Sequence, residues 1–282
     1  MLNLRWMRAN LAGWVPEAVK RRFRARLFGY GTPRVAPGEV NLRDGEAHAE
    51  FRGLTLRAPA AAYDDMRYHL VDNGDSIVEM DAVLRAAAEH RGMLLDVGAA
   101  RGLISAMYCL AADGNRAIAY EPAPRQAQDL FAMARMNGIH TSLAVREAAV
   151  GSAPALLYGA EDALGLIDLA PPEGADTFAV DMVTVDDEVV RFGVPSVLKI
   201  DVEGHELEVL RGAGQTLREH RPLVLLELHL DMLEKRGIAP ARAIEPLRAA
   251  GYRFETCAGE PLAAPENSPM AVLRLVARPE NA

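Results

Sequence analysis

The sequence predicts an α/β protein built on a doubly wound, mostly parallel sheet. Three observations carry that reading. From about residue 76 onward, short apolar runs alternate with stretches of helical spacing. The runs are apolar throughout and not only at every second position, as strands covered on both faces must be. Glycines stand where runs end, at Gly98 and Gly204.

In chain order, residues 1–30 read as one or two helices closed by Gly29–Pro33. Residues 38–60 alternate in two runs, Glu39–Arg43 and Ala49–Arg57, about Asp44-Gly45, a hairpin signal stopped by Pro59. Ile77–Ala88 has helical spacing through Ile77, Val78, Met80, Val83 and Leu84. Met93–Val97 is the first strand of the sheet and Leu103–Ala112 its helix. Arg116–Glu121 is the second strand, followed by a helix from Pro124 that Asn137-Gly138 stops. Thr141–Val150, Ser196–Asp201 and Leu223–His229 supply the third, fourth and fifth strands, and Arg253–Cys257 and Ala271–Ala277 two more. The chain therefore divides into an N-terminal extension over residues 1–75, with Tyr63, Tyr68 and His69 as a potential lid, and a sheet domain over residues 76–282.

Composition narrows the function. Half of the 282 residues are hydrophobic, enough for a sizeable core, and the net charge is −8. Residues 1–34 run against that balance, with eight basic side chains and one acid, Glu17, among Leu4, Trp6, Leu11, Trp14 and Phe23. This head reads either as a solvated terminal helix or as a peripheral membrane contact. A basic head on an acidic body does not fit a nucleic-acid enzyme, whose charge would lie on the folded domain. Cys109 and Cys257 are far apart and outside any zinc spacing. No run approaches a membrane span and the opening lacks an unbroken apolar export signal, so a cytoplasmic location is expected.

In a parallel sheet, ligands bind beyond the carboxyl ends of the strands. The first strand ends in Asp96-Val97-Gly98-Ala99-Ala100-Arg101-Gly102. Its glycines permit a tight turn, but Ala100 breaks the dinucleotide pattern G-x-G-x-x-G, and the Asp96 carboxylate is a poor neighbour for a pyrophosphate. It suits a ligand bearing an ammonium and a sulfonium. Glu121-Pro122 ends the second strand 25 residues after Asp96, the separation expected of a carboxylate that accepts from a ribose diol. Ala148, within Glu147–Gly151, offers a small wall for an adenine. Together these residues point to S-adenosyl-L-methionine. The fourth strand ends at Asp201, followed by Glu203, Gly204 and His205, and the fifth carries Glu227 and His229 on one face.

These segments resemble a known family. LLDVGAARG, AIAYEP, EAAVG, VTVDDEV, LKIDVEGHELEVLRGA and PLVLLELH, over roughly residues 75–235, look like the FkbM-type S-adenosylmethionine-dependent methyltransferases. The resemblance implies a class I methyltransferase-like sheet of seven strands with the last antiparallel. It also implies methyl transfer to a hydroxyl of a sugar, macrolide or related natural product. The family's usual D-V-G-A-N-x-G departs here at Ala100 and Arg101, which leaves the glycine turn and removes a polar side chain near the donor.

On this reading Asp96, Gly98, Ala99, Gly102, Glu121, Pro122 and Ala148 hold the donor, and Asp201, Glu203, His205 and His229 form the catalytic side. An imidazole or Asp201 would take the hydroxyl proton. Alternatively Asp201, Glu203 and Glu227 would hold Mg²⁺, which is less favoured because no acid pair follows the fourth strand. Glu206 and Glu208 read as a solvated helix face, and Lys199 is an anomaly in an apolar strand. Three rivals remain: a non-catalytic donor-binding module, a nicotinamide-dependent oxidoreductase opposed by Asp96 and Ala100, and a membrane-associated glycolipid methyltransferase. Residues 30–75 and the Gly151–Pro172 stretch, read as a loop, are expected to shape the acceptor pocket.

Overall fold

The computed structural model describes residues 35–160, 167–168 and 177–280. The basic head expected at residues 1–34 lies outside the described residues.

The described chain opens with an antiparallel meander of β1 (Glu39–Arg43), β2 (Glu46–Phe51) and β3 (Leu54–Pro59). The expected turn at Asp44-Gly45 is present. The run read as one second strand is folded in two at Arg52-Gly53. Both turns take positive φ at both central residues, 51° and 80° in the first and 50° and 80° in the second. This primed geometry matches the twist of the flanking strands. Arg52 is an unusual residue for it, and a two-pronged pair to Asp81, at 2.8 and 3.0 Å, holds the guanidinium in place.

Helix α1 (Tyr63–Arg67) runs into a π-helical turn, Tyr68–Asp72, and then into α2 (Gly74–Glu89). Asn73 caps α2 by accepting from the N–H groups of Asp75 and Ser76. There follow β4 (Met93–Val97), α3 (Leu103–Ala111), β5 (Arg116–Tyr120), α4 (Pro124–Met136) and β6 (Leu143–Arg146). The long strand expected over 141–150 is broken, because the Ala148 N–H turns back to the Arg146 carbonyl at 2.9 Å. Its remainder, β7 (Ala149–Val150), leaves the main sheet and joins β8 (Ala155–Ala160), β9 (Ile167–Asp168) and β10 (Thr177–Val183) in a second sheet. The stretch after Gly151, expected as loop, therefore contains strand.

The chain continues through α5 (Val185–Phe192), β11 (Val197–Ile200), α6 (Glu206–Gly212), β12 (Leu223–His229), α7 (Leu230–Lys235), α8 (Pro240–Ala243), α9 (Glu245–Ala249), β13 (Tyr252–Thr256) and β14 (Val272–Pro279). The main sheet has seven strands in the order β13-β14-β12-β11-β4-β5-β6. Its pairs are parallel except those of β14, which is antiparallel to both β12 and β13.

Alternation along each strand divides the core into two layers. Leu94, Val197, Leu225 and Val276 share one cluster with Val83 of α2 and with Phe51, Met66 and Leu70 of the N-terminal segment. Leu95, Leu198, Leu226 and Leu275 share the other with Leu207 and Leu210 of α6. The meander and α1 thus cover one face of the sheet and approach its strand tips. Among the described residues, no helix is long and apolar enough to cross a membrane.

Candidate active site at the strand tips

A cleft of about 1060 Å³ opens at the carboxyl ends of β4, β5, β11 and β12. That is at the upper end of the volumes typical of ligand pockets, enough for a donor and an acceptor together. Gly98, Glu121, Pro122 and Ala148 line one half; Asp201, Glu203, His205, Glu227 and His229 line the other.

The half that holds Gly98 and Glu121 is set by backbone contacts. Gly98 has φ +81°, and a Cβ there would meet the Asp201 carbonyl oxygen at 1.8 Å, so only glycine lets the tips of β4 and β11 meet. Gly102, with φ +85°, would drive a Cβ to 2.5 Å from Leu130. It does not line the cleft; it lets α3 approach α4. Ala100 sits at φ +47° with its N–H donated to Glu121 Oε2 at 2.8 Å. Glu121 Oε1 accepts from Ala123 N–H at 2.9 Å. Burial pushes this carboxyl up to about 6 against those two bonds. Each oxygen keeps a lone pair directed elsewhere, so the fixed carboxylate can still accept from two hydroxyls.

Asp96 stands differently from the expectation. It is 1% exposed, accepts from Ser105 Oγ at 2.6 Å, and lies behind the wall of the cleft. Burial pushes it up to about 6. Its partner in the structure is the first turn of α3. Ala99 is likewise 8% exposed and off the cleft, its N–H bonded to the Tyr120 carbonyl.

The other half is a buried charge network on one face of the sheet. Asp96 and Lys199 are paired in register, as are Glu227 and Arg274. Glu79 descends onto them from α2. Lys199 Nζ lies 3.0 Å from Glu79 Oε1 and 3.5 Å from Asp201 Oδ2. Arg274 bridges Glu79 at 2.9 Å and Glu227 at 2.6 Å. Burial opposes the Lys199 charge, yet Asp201, Glu79 and Glu227 hold its pKa above the ordinary range. Asp201 is raised by burial but lowered more by Lys199, His229 and Arg274, so it stays ionised. Glu227 is pushed up to about 8 by burial and by its neighbours Asp201 and Glu79.

His229 is ringed by acids. Nδ1 is 2.8 Å from Glu206 Oε1, and Nε2 is 3.3 Å from Glu203 and 3.7 Å from both Asp201 and Glu227. Burial disfavours its charge, but the Glu206 bond and the Asp201 and Glu203 carboxylates lift it to about 9. That favours the protonated imidazole at neutral pH, a form with no lone pair to take a further proton. Glu206, read as solvated, is fully buried and also accepts from Gly204 N–H at 2.9 Å. Glu208 pairs with Arg236 at the rim. His205 occupies the N-cap of α6, but its side chain makes no capping bond.

Sequence reasoning did not find Glu79, Arg274 or the role of Glu206. A signal was available for two of them: Lys199 is a lone charge in the apolar strand β11, and Arg274 stands inside the apolar run Val272–Ala277 of β14, and such charges require buried partners.

The seven-stranded order with one antiparallel strand, and a cleft at the tips of its central strands, define the class I methyltransferase fold. The methyltransferase FkbM domain model matches residues 96–254, and the chain belongs to that family. A hexuronic acid methyltransferase, AglP of Haloferax volcanii, is 31% identical over 168 residues, 54% of this chain and 62% of that protein. The chain thus spans less than two thirds of this relative's length. Among solved structures, the FkbM methyltransferase of Methylobacillus flagellatus is 18% identical, with a TM-score of 0.45 over 67% of this chain and 44% of that one. An O-methyltransferase of Bacillus cereus is 10% identical, with a TM-score of 0.43 over 77% and 84%.

Proposed function

We propose that the chain transfers the methyl group of S-adenosyl-L-methionine to a hydroxyl of a sugar, glycan or related metabolite. The observation that carries this reading is the Glu121 carboxylate, fixed by two backbone N–H groups and facing the same cleft as the Asp201–Glu227–His229 cluster. The donor set fits the group: a fixed acceptor for a ribose diol, small apolar walls at Pro122 and Ala148, and net acidity for a cationic ligand. The relationship to a hexuronic acid methyltransferase favours a sugar acceptor.

When bound, the donor supplies an electrophilic methyl group. The protein's task is to hold an acceptor oxygen in line with it at roughly 3–3.5 Å and to exclude water. Lys199 and Arg274 fix the positions of Asp201 and Glu227. A metal on Asp201, Glu227 and His229, whose ligand atoms lie within 4.8 Å of one another, would require His229 to lose its proton. It would also stand beside the Lys199 ammonium. We therefore favour metal-free transfer, with Lys199, Arg274 and His229 supplying the positive charge. The free, buried thiols of Cys109 and Cys257 support a reducing, cytoplasmic setting.

Calorimetry with S-adenosyl-L-methionine, followed by transfer of isotopically labelled methyl to a glucuronide, tests the reading. Binding and label on a sugar oxygen are expected. A protein that binds no donor would overturn it.

A further inference from the structure

The accepting hydroxyl needs a group to take its proton, and the imidazoles at the cleft are not equivalent. His229 has both ring nitrogens directed at carboxylates and, protonated, has no lone pair to offer. His205 lies at the rim, where its field acts on Glu208. His69 differs from both. It sits on the turn Tyr68–Asp72, upstream of the family-matched residues 96–254, and lines the same cleft as Asp201, Glu227 and Arg274. The Tyr68 ring meets it edge-on at 5.1 Å. Its imidazole makes no hydrogen bond to any described residue.

The turn is firmly held. Met66 and Leu70, on either side of His69, are fully buried, and the Leu70 carbonyl accepts from Gly38 N–H at 2.7 Å. Arg101, at the end of the β4 loop, pairs with Asp65 of α1 and, at 3.0 Å, with Asp129 of α4. The loop that frames the donor half and the segment that carries His69 are thus tied together.

Building on the function proposed above, we propose that His69 is the proton acceptor for the hydroxyl that becomes methylated. The hydroxyl oxygen forms the new bond to the methyl carbon. The carbon–sulfur bond breaks with its electron pair on sulfur, so the sulfonium donor departs as a neutral thioether. The hydroxyl proton passes to a ring nitrogen of His69, and the imidazolium returns it to water. The charged groups facing His69 are Glu79 on α2, Arg274 on β14, and Lys199 and Asp201 on and just after β11. These charges of both signs pull in opposite directions, and burial, the largest influence, holds the imidazole below its ordinary range.

The test combines ring NMR of the full chain labelled in histidine, donor calorimetry, and labelled-methyl transfer to p-nitrophenyl glucuronide, each for wild type and His69→Gln. The signal missing from His69→Gln is expected to titrate below the ordinary imidazole range and to move when the glucuronide is added with S-adenosylhomocysteine. His69→Gln should bind the donor as wild type does, which reports that it is folded, while losing roughly 10²–10⁴-fold in transfer rate. The wild-type fall in rate on acidification through that titration should be absent from the variant. A signal titrating in or above the ordinary range overturns the proposal, as does transfer by His69→Gln at the wild-type rate. If wild type binds no donor or does not label the glucuronide, the proposed function itself falls and this inference with it.

Discussion

The ammonium of Lys199 lies 3.0 Å from a carboxylate oxygen of Glu79, with the two side chains 0% and 4% exposed. A strand at the centre of the sheet and the helix covering it are joined through charges withdrawn from water. Such a pair adds little net stability over apolar residues of similar size, but removing one partner strands the other. Lys199→Met should therefore destabilise by about 3–5 kcal/mol, read as a lower urea midpoint with an unchanged slope. Adding Glu79→Leu should recover part of the loss. A single variant as stable as wild type would mean that the carboxylates are already neutral.

The two acids at the ends of β4 and β5 should separate by experiment. Glu121 faces the cleft, so Glu121→Gln should weaken donor binding by about 1.5–3 kcal/mol, the worth of a charged hydrogen-bond acceptor. Asp96 is sealed against Ser105, so Asp96→Asn should lower the melting temperature first and change donor affinity by less than about threefold. Calorimetry beside thermal melting distinguishes them; equal loss of donor affinity would return Asp96 to the ligand.

Gly98→Ala places a methyl group against the Asp201 carbonyl at a φ of +81°, whereas Gly53→Ala meets nothing within 4 Å at a φ of +80°. Gly53→Ala should cost only the handedness penalty, roughly 1–2 kcal/mol. Gly98→Ala should cost more, because the β4 and β11 tips must move apart. Denaturant midpoints of the two variants isolate the steric part.

Stability should fall on the alkaline side. The folded-state pKa of His229 is raised from its ordinary 6.5 to about 9, so its contribution is complete below 6.5 and is lost as pH rises through 9. Glu227, raised from 4.5 to about 8, acts in the same direction between those values. The combined effect should be on the order of a few kcal/mol between pH 6.5 and 9. His229→Gln should flatten the upper part of that slope, as followed by melting temperature against pH.

A chelator should leave methyl transfer unchanged, and added Mg²⁺ should not raise it, if Lys199 and Arg274 provide the charge balance. Loss of transfer with chelator and its return with Mg²⁺ would restore the metal reading.

Much of this was legible in the sequence because β4, β5, β11 and β12 are short apolar runs, nearly every residue of which is buried. Their boundaries and the acids beyond them can be read directly. What escaped depends on contacts between distant segments. Nothing local marks the break at Glu147-Ala148, because β7 leaves the sheet to pair with β10, more than 25 residues later. Arg52, a poor residue for a positive φ, is held in its turn by Asp81, 29 residues on. Glu206 reads as one of two solvated helix acids until His229, 23 residues on, is placed 2.8 Å away. A lone lysine in an apolar strand announces a partner without naming it, and that partner lies 120 residues upstream.

The wall that carries Tyr68 and His69 is built upstream of residues 96–254, yet it is clamped to the donor loop through Arg101. On the function proposed above, that wall is where acceptor preference would drift: α1 and the turn after it, apart from Asp65 and His69, can be rewritten in sequence while the strand tips stay untouched. Grafting a relative's equivalent segment, with Asp65 and His69 retained, tests that route to retargeting this scaffold.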